Sequence, residues 1–382
     1  MKPTFHRLIF WGHLVIGLVA GLVILSMAAT GLIISYEAQL LDWANRDLRV
    51  IPGTAHLDVE TLLAKVHETK PDLQPSGITW KADPAMPVTL TMGKEGIFFA
   101  NPYTGQLLGE GHRAWRDFFH AATEWHRFLI GTGLSKDTGK AVTGAGSLLF
   151  SLLLISGIYL WWPRHWRWSS LRAIILLNPQ LRGRARNWNW HNVFGFWSAL
   201  PLLLIILTGL IMSYGWANNL LFTLTGTQPP PPRERPAGGP GSPSGGGKRE
   251  GNGSPAPAPS LSGLSPLLAQ ARQQIPGWTT LSLRMPLKPG DPFPLMLDRG
   301  GRGQVHLRTM LNLDVAQGKV LPSPDDIQQQ NLGRRLRMYA RFLHTGELFG
   351  FVGQTVAALA TICTILLVWT GFALAWRRFT KS

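Results

Sequence analysis

The chain has little charge, few acidic residues and almost no cysteine. Lys, Arg, Asp and Glu make up 15% of its 382 residues, against about a quarter in ordinary soluble proteins. Hydrophobic residues reach 45%, and 16 residues are Trp. The deficit of charge is concentrated: residues 8–36, 141–162, 188–218 and 348–376 contain no Lys, Arg, Asp or Glu. Each run is long enough to cross a hydrocarbon core, which takes roughly 20 apolar residues. This excludes a soluble enzyme and predicts a membrane α-helical protein with four transmembrane helices. The single cysteine, Cys363, falls inside the last run. One cysteine excludes an intrachain disulfide, a Cys-rich zinc or iron–sulfur site and covalent C-x-x-C-H haem attachment. Cys363 itself reads as a small core residue. The net charge of +16 is a feature of nucleic-acid binders. Much of it stands beside the apolar runs, however, which favours the lipid bilayer as partner and no nucleic acid.

The first run follows Met1–Arg7 without a small-residue cleavage site and is too long for a signal-peptide core, so it reads as an uncleaved span. The loop 163–190 carries Arg164, Arg167, Arg172, Arg182, Arg184 and Arg186 and no acid, and the chain ends Arg377, Arg378, Lys381. Short loops rich in Lys and Arg stay on the cytoplasmic side, which puts both termini and the middle loop inside. Trp161, Trp162, Trp166, Trp168, Trp188 and Trp190 crowd that boundary as an interfacial belt does. The plan is then a first span at 1–36, an outside module at 37–125, a second span with an outside lead-in at 126–162, and the basic loop at 163–190. The third span takes 191–218 and the outside region 219–259. A second outside module takes 260–343, the fourth span 344–376 and the tail 377–382. Residues 228–259, rich in Pro, Gly and Ser, cannot bury a core and read as a disordered linker.

The halves echo each other. His13, Gly17 and Gly31-Leu-Ile-Ile-Ser-Tyr36 recur as His191, Gly195 and Gly209-Leu-Ile-Met-Ser-Tyr214, all at an offset of 178. Gly139, Gly157, Trp162 and Arg164 recur as Gly353, Gly371, Trp376 and Arg378 at an offset of 214, while His126 and His344 differ by 218. Four extra residues in the first half, within Thr132–Thr138, account for the mismatch. Each outside module shows a short helix pattern (Val59–His67; Leu264–Ile275) and then alternating strand patterns. These are Val88–Met92 and Gly96–Ala100 before a turn at Asn101–Gly105, and Gln304–Leu307 before a turn at Asp314–Gly318. Corresponding spans run in the same direction, so the architecture is a tandem parallel repeat with two small α+β modules, not the inverted repeat common in transporters.

Four of the eleven histidines stand at repeat-related positions on or beside spans. An ionisable group in a membrane is costly without a partner, and a lone one is ordinarily satisfied by a carbonyl. Two matched pairs are harder to attribute to four separate hydrogen bonds. His13 and His191 fall near the cytoplasmic face by helix rise, and His126 and His344 fall near the outer face. Two imidazoles at one depth suit the two axial positions of a haem iron, leaving no open position for oxygen. Gly17 and Gly195 lie one turn beyond the inner histidines on the same helix face. They admit a flat macrocycle or serve helix packing through Gly17-x-x-x-Gly21, and the two readings are compatible. His120 is the substitute for His126. His6 shares a stripe with His13 and is either exposed or near a haem propionate. His165 belongs to the basic loop, and His56, His67, His112 and His306 read as solvated. Met27 and Met212 are haem ligands by chemistry but filler by habit.

The runs His13-Leu-Val-Ile-Gly17 leading to Thr30-Gly-Leu, His126-Arg-Phe-Leu-Ile-Gly131 and His344-Thr-Gly-Glu-Leu-Phe-Gly350 resemble PepSY-associated transmembrane proteins. The segments around Asn101-Pro-Tyr-Thr-Gly105 and Leu313-Asp-Val-Ala-Gln-Gly318 resemble PepSY domains. The resemblance covers nearly the whole chain apart from the linker. It implies an iron-regulated protein of the bacterial inner membrane, with the modules in the periplasm. Some members reduce ferric siderophores, and the chain looks most like those with two b-type haems and a ferrioxamine-type substrate. On that reading His13, His191, His126 and His344 are the axial ligands of two non-covalent haem b groups. The partners are then a ferric siderophore and a cytoplasmic or membrane electron donor. The resemblance also leaves open a sensor or protease-regulating binding protein without redox activity, or a permease for iron or its chelate.

Overall fold

A computed structural model of the chain describes residues 3–93, 96–163, 166–229 and 261–380. The linker expected at 228–259, apart from its first two residues, lies outside these, as do Arg164, His165 and Lys381. The described chain forms two compact units. One comprises residues 1–37, 118–227 and 336–382, and the other residues 38–117 and 228–335.

The first unit is a helical bundle. Its four long helices are α1 (Pro3–Ile34), α5 (Lys136–Trp161), α7 (Gly183–Ser213) and α11 (Gly350–Phe379). All four are long and apolar enough to cross a membrane. Helix α1 packs on α5 and α11, and α7 packs on the same two, so α1 and α7 occupy one diagonal of the bundle. The interior is built from residues four apart: Ala20, Ile24 and Ala28 on α1, and Leu202, Ile206 and Leu210 on α7. That spacing keeps side chains on one face of a helix. Small residues mark the closest approaches. A side-chain carbon on Gly21 would sit 2.8 Å from the Phe372 ring, and one on Gly146 would sit 2.9 Å from Val23. Large apolar groups such as Val19, Leu200 and Val352 point outward and are about two-thirds exposed or more. In water such a surface drives association; in a bilayer it meets acyl chains.

Shorter helices flank the spans: α2 (Glu37–Ala44) after α1, α4 (Arg113–Phe128) before α5, α6 (Trp168–Ile175) and α8 (Gly215–Leu224) on either side of α7, and α10 (Leu332–His344) before α11. The second long helix therefore starts at Lys136, inside the lead-in expected from 126, and the fourth at Gly350, after the start expected at 344. Ser135 caps α5, its hydroxyl accepting from the Thr138 N–H, which satisfies a helix-start donor and sets the boundary there. Before α11 the chain turns through Gly346 (φ 75°) and Gly350 (φ 61°), conformations that residues with a Cβ rarely adopt. His126 and His344 thus sit near or at the C-terminal ends of separate short helices, not on the spans that follow. Conversely, α7 starts eight residues before His191, at Gly183.

The second unit is an eight-stranded antiparallel sheet. Its strands are β1 (Gly77–Lys81), β2 (Val88–Thr91), β3 (Ile97–Ala100), β4 (Leu107–Gly109), β5 (Thr280–Arg284), β6 (Phe293–Asp298), β7 (Arg308–Asp314) and β8 (Lys319–Pro322), in the order β4-β3-β2-β1-β5-β6-β7-β8. The two segments expected as separate modules are therefore halves of one sheet, joined where β1 pairs with β5. At that junction Thr79 lies opposite Ser282 and their hydroxyls meet at 2.9 Å. The core joins helices α3 (Val59–Thr69) and α9 (Leu264–Gln274) to inward residues of both halves, including Leu62, Val66, Ile78, Leu90, Leu264, Leu268, Leu283, Leu295 and Leu313. Glu60 of α3 accepts from the Leu264 and Ser265 N–H groups and from the Ser265 hydroxyl, tying the helix starts together. The alternation read as a strand over Gln304–Leu307 is instead a turn. Gly300, Gly301 and Gly303 bend the chain, Val305–Leu307 forms a short 3-10 turn, and the strand begins at Arg308.

Candidate functional site

The four repeat-related histidines converge in two pairs. The ring centres of His13 and His191 are 6.4 Å apart, and those of His126 and His344 are also 6.4 Å apart. His13 and His191 reach toward each other from the diagonal helices α1 and α7. His126 and His344 come from α4 and α10. Helix α4 is held in place by Trp125, whose ring N–H donates to the Ser26 hydroxyl of α1, and by the Arg127 carbonyl, which accepts from Thr143 of α5.

Each ring is anchored through Nδ1. His126 Nδ1 lies 2.9 Å from the Met27 carbonyl, and His344 Nδ1 lies 2.8 Å from the Ile205 carbonyl. A carbonyl only accepts, so Nδ1 carries the proton. The Thr30 and Thr208 hydroxyls stand beside the same nitrogens at 3.2 and 3.4 Å. In the other pair, His13 Nδ1 lies 2.8 Å from the Ser156 hydroxyl, and His191 Nδ1 lies 2.9 Å from the Thr370 hydroxyl. Both hydroxyls donate to carbonyls of their own helices, Leu152 and Leu366, so each accepts from its imidazole. All four Nε2 atoms are then lone-pair nitrogens. Among the described residues no hydrogen bond engages any of them, and none joins the two rings of a pair.

Glycines seat the rings. A Cβ on Gly31 would lie 3.2 Å from His126 Cε1, and one on Gly209 would lie 3.2 Å from His344 Cε1. Gly157 and Gly371 stand likewise against His13 and His191, at 3.4 and 3.7 Å. Gly31 and Gly209 are four residues beyond the accepting carbonyls of Met27 and Ile205, on the same helix face. Their missing side chains let the imidazoles reach the main chain. Every contact in one half has its counterpart in the other: Met27, Thr30 and Gly31 against Ile205, Thr208 and Gly209 at 178, and Ser156 and Gly157 against Thr370 and Gly371 at 214. The hydroxyls of Ser156 and Thr370 are functional partners that sequence reading passes over; their signal is a hydroxyl residue directly before a repeated glycine.

Other expectations resolve differently. Gly17 and Gly195 face Leu153 and Leu367, where a Cβ would make ordinary contact at 3.8 and 3.7 Å, so they belong to helix packing. His120 is exposed on α4 and does not join the His126–His344 pair. The depth between pairs is also smaller than a full hydrocarbon core. His126 reaches the Met27–Gly31 level of α1, 14 to 18 residues beyond His13, or about 21–27 Å of helix rise. His344 reaches the equivalent level of α7.

The donor set discriminates among metals. Among the described residues no group of three or more His, Cys, Asp or Glu is placed to hold a metal ion. Two neutral imidazoles under-coordinate a bare divalent cation, which takes four or more ligands. They complete a metal whose equatorial positions a macrocycle already fills. An imidazole nitrogen binds a metal at about 2 Å, which sets two rings on one iron with centres about 6 Å apart. The observed 6.4 Å separations, the free Nε2 atoms and the glycine seats fit that group.

Fold and site together define a four-span helical membrane protein with an antiparallel sheet unit and two half-buried histidine pairs. Residues 10–378 match the PepSY-associated TM region family, and the chain belongs to that family. A comparison with curated proteins finds no match.

Proposed function

We propose that this protein is a di-haem b electron-transfer protein of the bacterial inner membrane, built as a tandem repeat with the sheet segments periplasmic. It passes one electron from a cytoplasmic or membrane donor to each Fe(III) held in a ferrioxamine-type siderophore at the periplasmic face, and Fe(II) is released for uptake. The observation that carries this reading is the recurrence of one geometry: two imidazoles with centres 6.4 Å apart, each fixed through Nδ1, at two depths of one bundle. When bound, each haem would supply a one-electron iron couple. His13 and His191 would hold the group on the side of the basic 163–190 loop, and His126 and His344 would hold the other. Met27, Ile205, Ser156 and Thr370 fix the tautomer and raise the basicity of the ligating nitrogen, as outer partners of metal-bound histidines do. The surrounding apolar helices exclude water. No general acid or nucleophile is required, because a hydroxamate chelate releases its metal once hard Fe(III) becomes Fe(II).

A pyridine haemochrome assay on the purified full chain tests the reading, with two haem b per chain expected. His13→Ala or His191→Ala should remove one and keep the other. His126→Ala or His344→Ala should remove the second and stop reduction of ferric ferrioxamine in stopped-flow mixing. A colourless protein that binds a peptide partner would make it a regulator. A protein that carries chelate across vesicles without changing its oxidation state would make it a permease.

A further inference from the structure

A second site lies at the opposite end of α1 from Ile34, between α1 and the last turns of α11. His6, Arg7, Phe10, Trp11 and Arg378 line a cleft of about 460 Å³. The Arg378 guanidinium lies over both aromatic rings, 4.8 Å from the centre of Phe10 and 4.9 Å from that of Trp11. A cation–π contact with two rings holds the guanidinium in place while leaving N–H groups available. Among the described residues neither Arg7 nor Arg378 has a carboxylate partner. Two guanidiniums beside one cleft make it selective for an anion.

The surroundings say which anion. Around an ideal helix Arg7 and Trp11 stand about 120° and 160° from His13, so this side of the cleft opens away from the histidine pair. Trp11 is 43% exposed. Val15, Val19 and Leu22 are exposed apolar residues within about 80° of Trp11 on the same helix, a stripe that runs from the cleft along the span. Trp162, Trp166, Trp168 and Trp376 are exposed on the helices and loop that meet at this bundle end, as residues at a headgroup level are. A soluble phosphate needs only the cations. An apolar stripe continuing from them suits a ligand with a charged head and a hydrocarbon tail.

We propose that the Arg7–Arg378 cleft binds the phosphate of an anionic membrane phospholipid, with its acyl chains along the Trp11–Leu22 flank of α1. Basic pockets between spans are a general means of holding such headgroups. His6 borders the cleft on the His13 side of the helix, while Arg7 and Trp11 face away from it, so the proposal stands whether or not the histidine pairs carry haem.

The test is native mass spectrometry of the full chain in neutral detergent, titrated with phosphatidylglycerol and phosphatidylcholine. One phosphatidylglycerol should be retained with about tenfold preference. The double variant Arg7→Gln/Arg378→Gln should lose that preference, and Arg7→Lys/Arg378→Lys should keep part of it. Arg182→Gln/Arg184→Gln, which removes the same charge elsewhere, should keep it in full. Equal retention of both lipids by the wild type, or an unchanged preference in the Gln pair, would overturn the proposal. Displacement by millimolar inorganic phosphate would make this a free-phosphate site instead. Loss of haem from the Gln pair with lipid preference intact would assign the arginines to the macrocycle's carboxylates.

Discussion

His344 donates from Nδ1 to the Ile205 carbonyl at 2.8 Å, one turn from the Gly209 against which its ring lies. The carbonyl orients the ring and the glycine admits it, so neither feature works without the other. Gly209→Ala or Gly31→Ala should displace an imidazole by a few tenths of an ångström, with an overpacking cost of about 1–3 kcal/mol. The measurable result is weaker haem retention at the His126–His344 pair, read from the haem-to-protein ratio. Gly17→Ala, where a Cβ makes ordinary contact with Leu153, should leave the ratio unchanged.

The other pair relies on hydroxyls. Ser156→Ala or Thr370→Ala removes the hydroxyl partner of a half-buried Nδ1–H, at a cost of about 0.5–1.5 kcal/mol, and leaves it the Leu153 or Leu367 carbonyl. It also removes an acceptor that raises ligand basicity. The midpoint potential of the haem at His13–His191 should rise in a redox titration while the other stays in place. Ser156→Thr, which keeps the hydroxyl, should restore the wild-type value.

Glu60 makes a pH-dependent contribution to the sheet unit. Burial pushes its carboxyl up. Hydrogen bonds from the Ser265 hydroxyl, from its own N–H and from the Ser265 and Leu264 N–H groups outweigh that and hold it below its ordinary value of 4.5. A depressed carboxyl stabilises the fold above its unfolded value, and the contribution disappears as pH falls through the lower folded value. Glu60→Gln should therefore lower the thermal midpoint of the full chain at pH 7, and the gap from wild type should close in acid.

The β1–β5 junction makes the two halves of the sheet one folding unit. Leu283 of β5 is 1% exposed and belongs to the shared core. Leu283→Ala should cost about 2–5 kcal/mol. If the halves fold together, protease should then cleave both 38–117 and 261–335 sooner. Selective loss of the second half would show that they are independent.

Much of this was legible in the sequence because it depends on local chemistry. The charge-free runs correspond to the four long apolar helices, and the patterns at Val59–His67 and Leu264–Ile275 fall on α3 and α9. The turn at Asn101–Gly105 closes where Gly105 adopts φ 78°. The span starts at Lys136 and Gly350 were not legible, since the Ser135 cap and the positive-φ Gly346 and Gly350 set them and hydropathy does not. Gly77–Lys81 and Thr280–Arg284 also escaped notice, because a five-residue strand declares itself only beside its partner.

By itself the sequence determined that four segments are long and apolar enough to cross a membrane and that four histidines recur at matching places in the two halves, since hydropathy and spacing are properties of a chain read in order. Only the tertiary structure decided that these histidines meet in pairs, which nitrogen each presents, and how far apart along the helices the pairs stand. Those outcomes depend on α4 and α10 folding back against the ends of α1 and α7. They also depend on carbonyls and hydroxyls distant in sequence accepting the Nδ1 protons, and a linear spacing does not encode a direction in space.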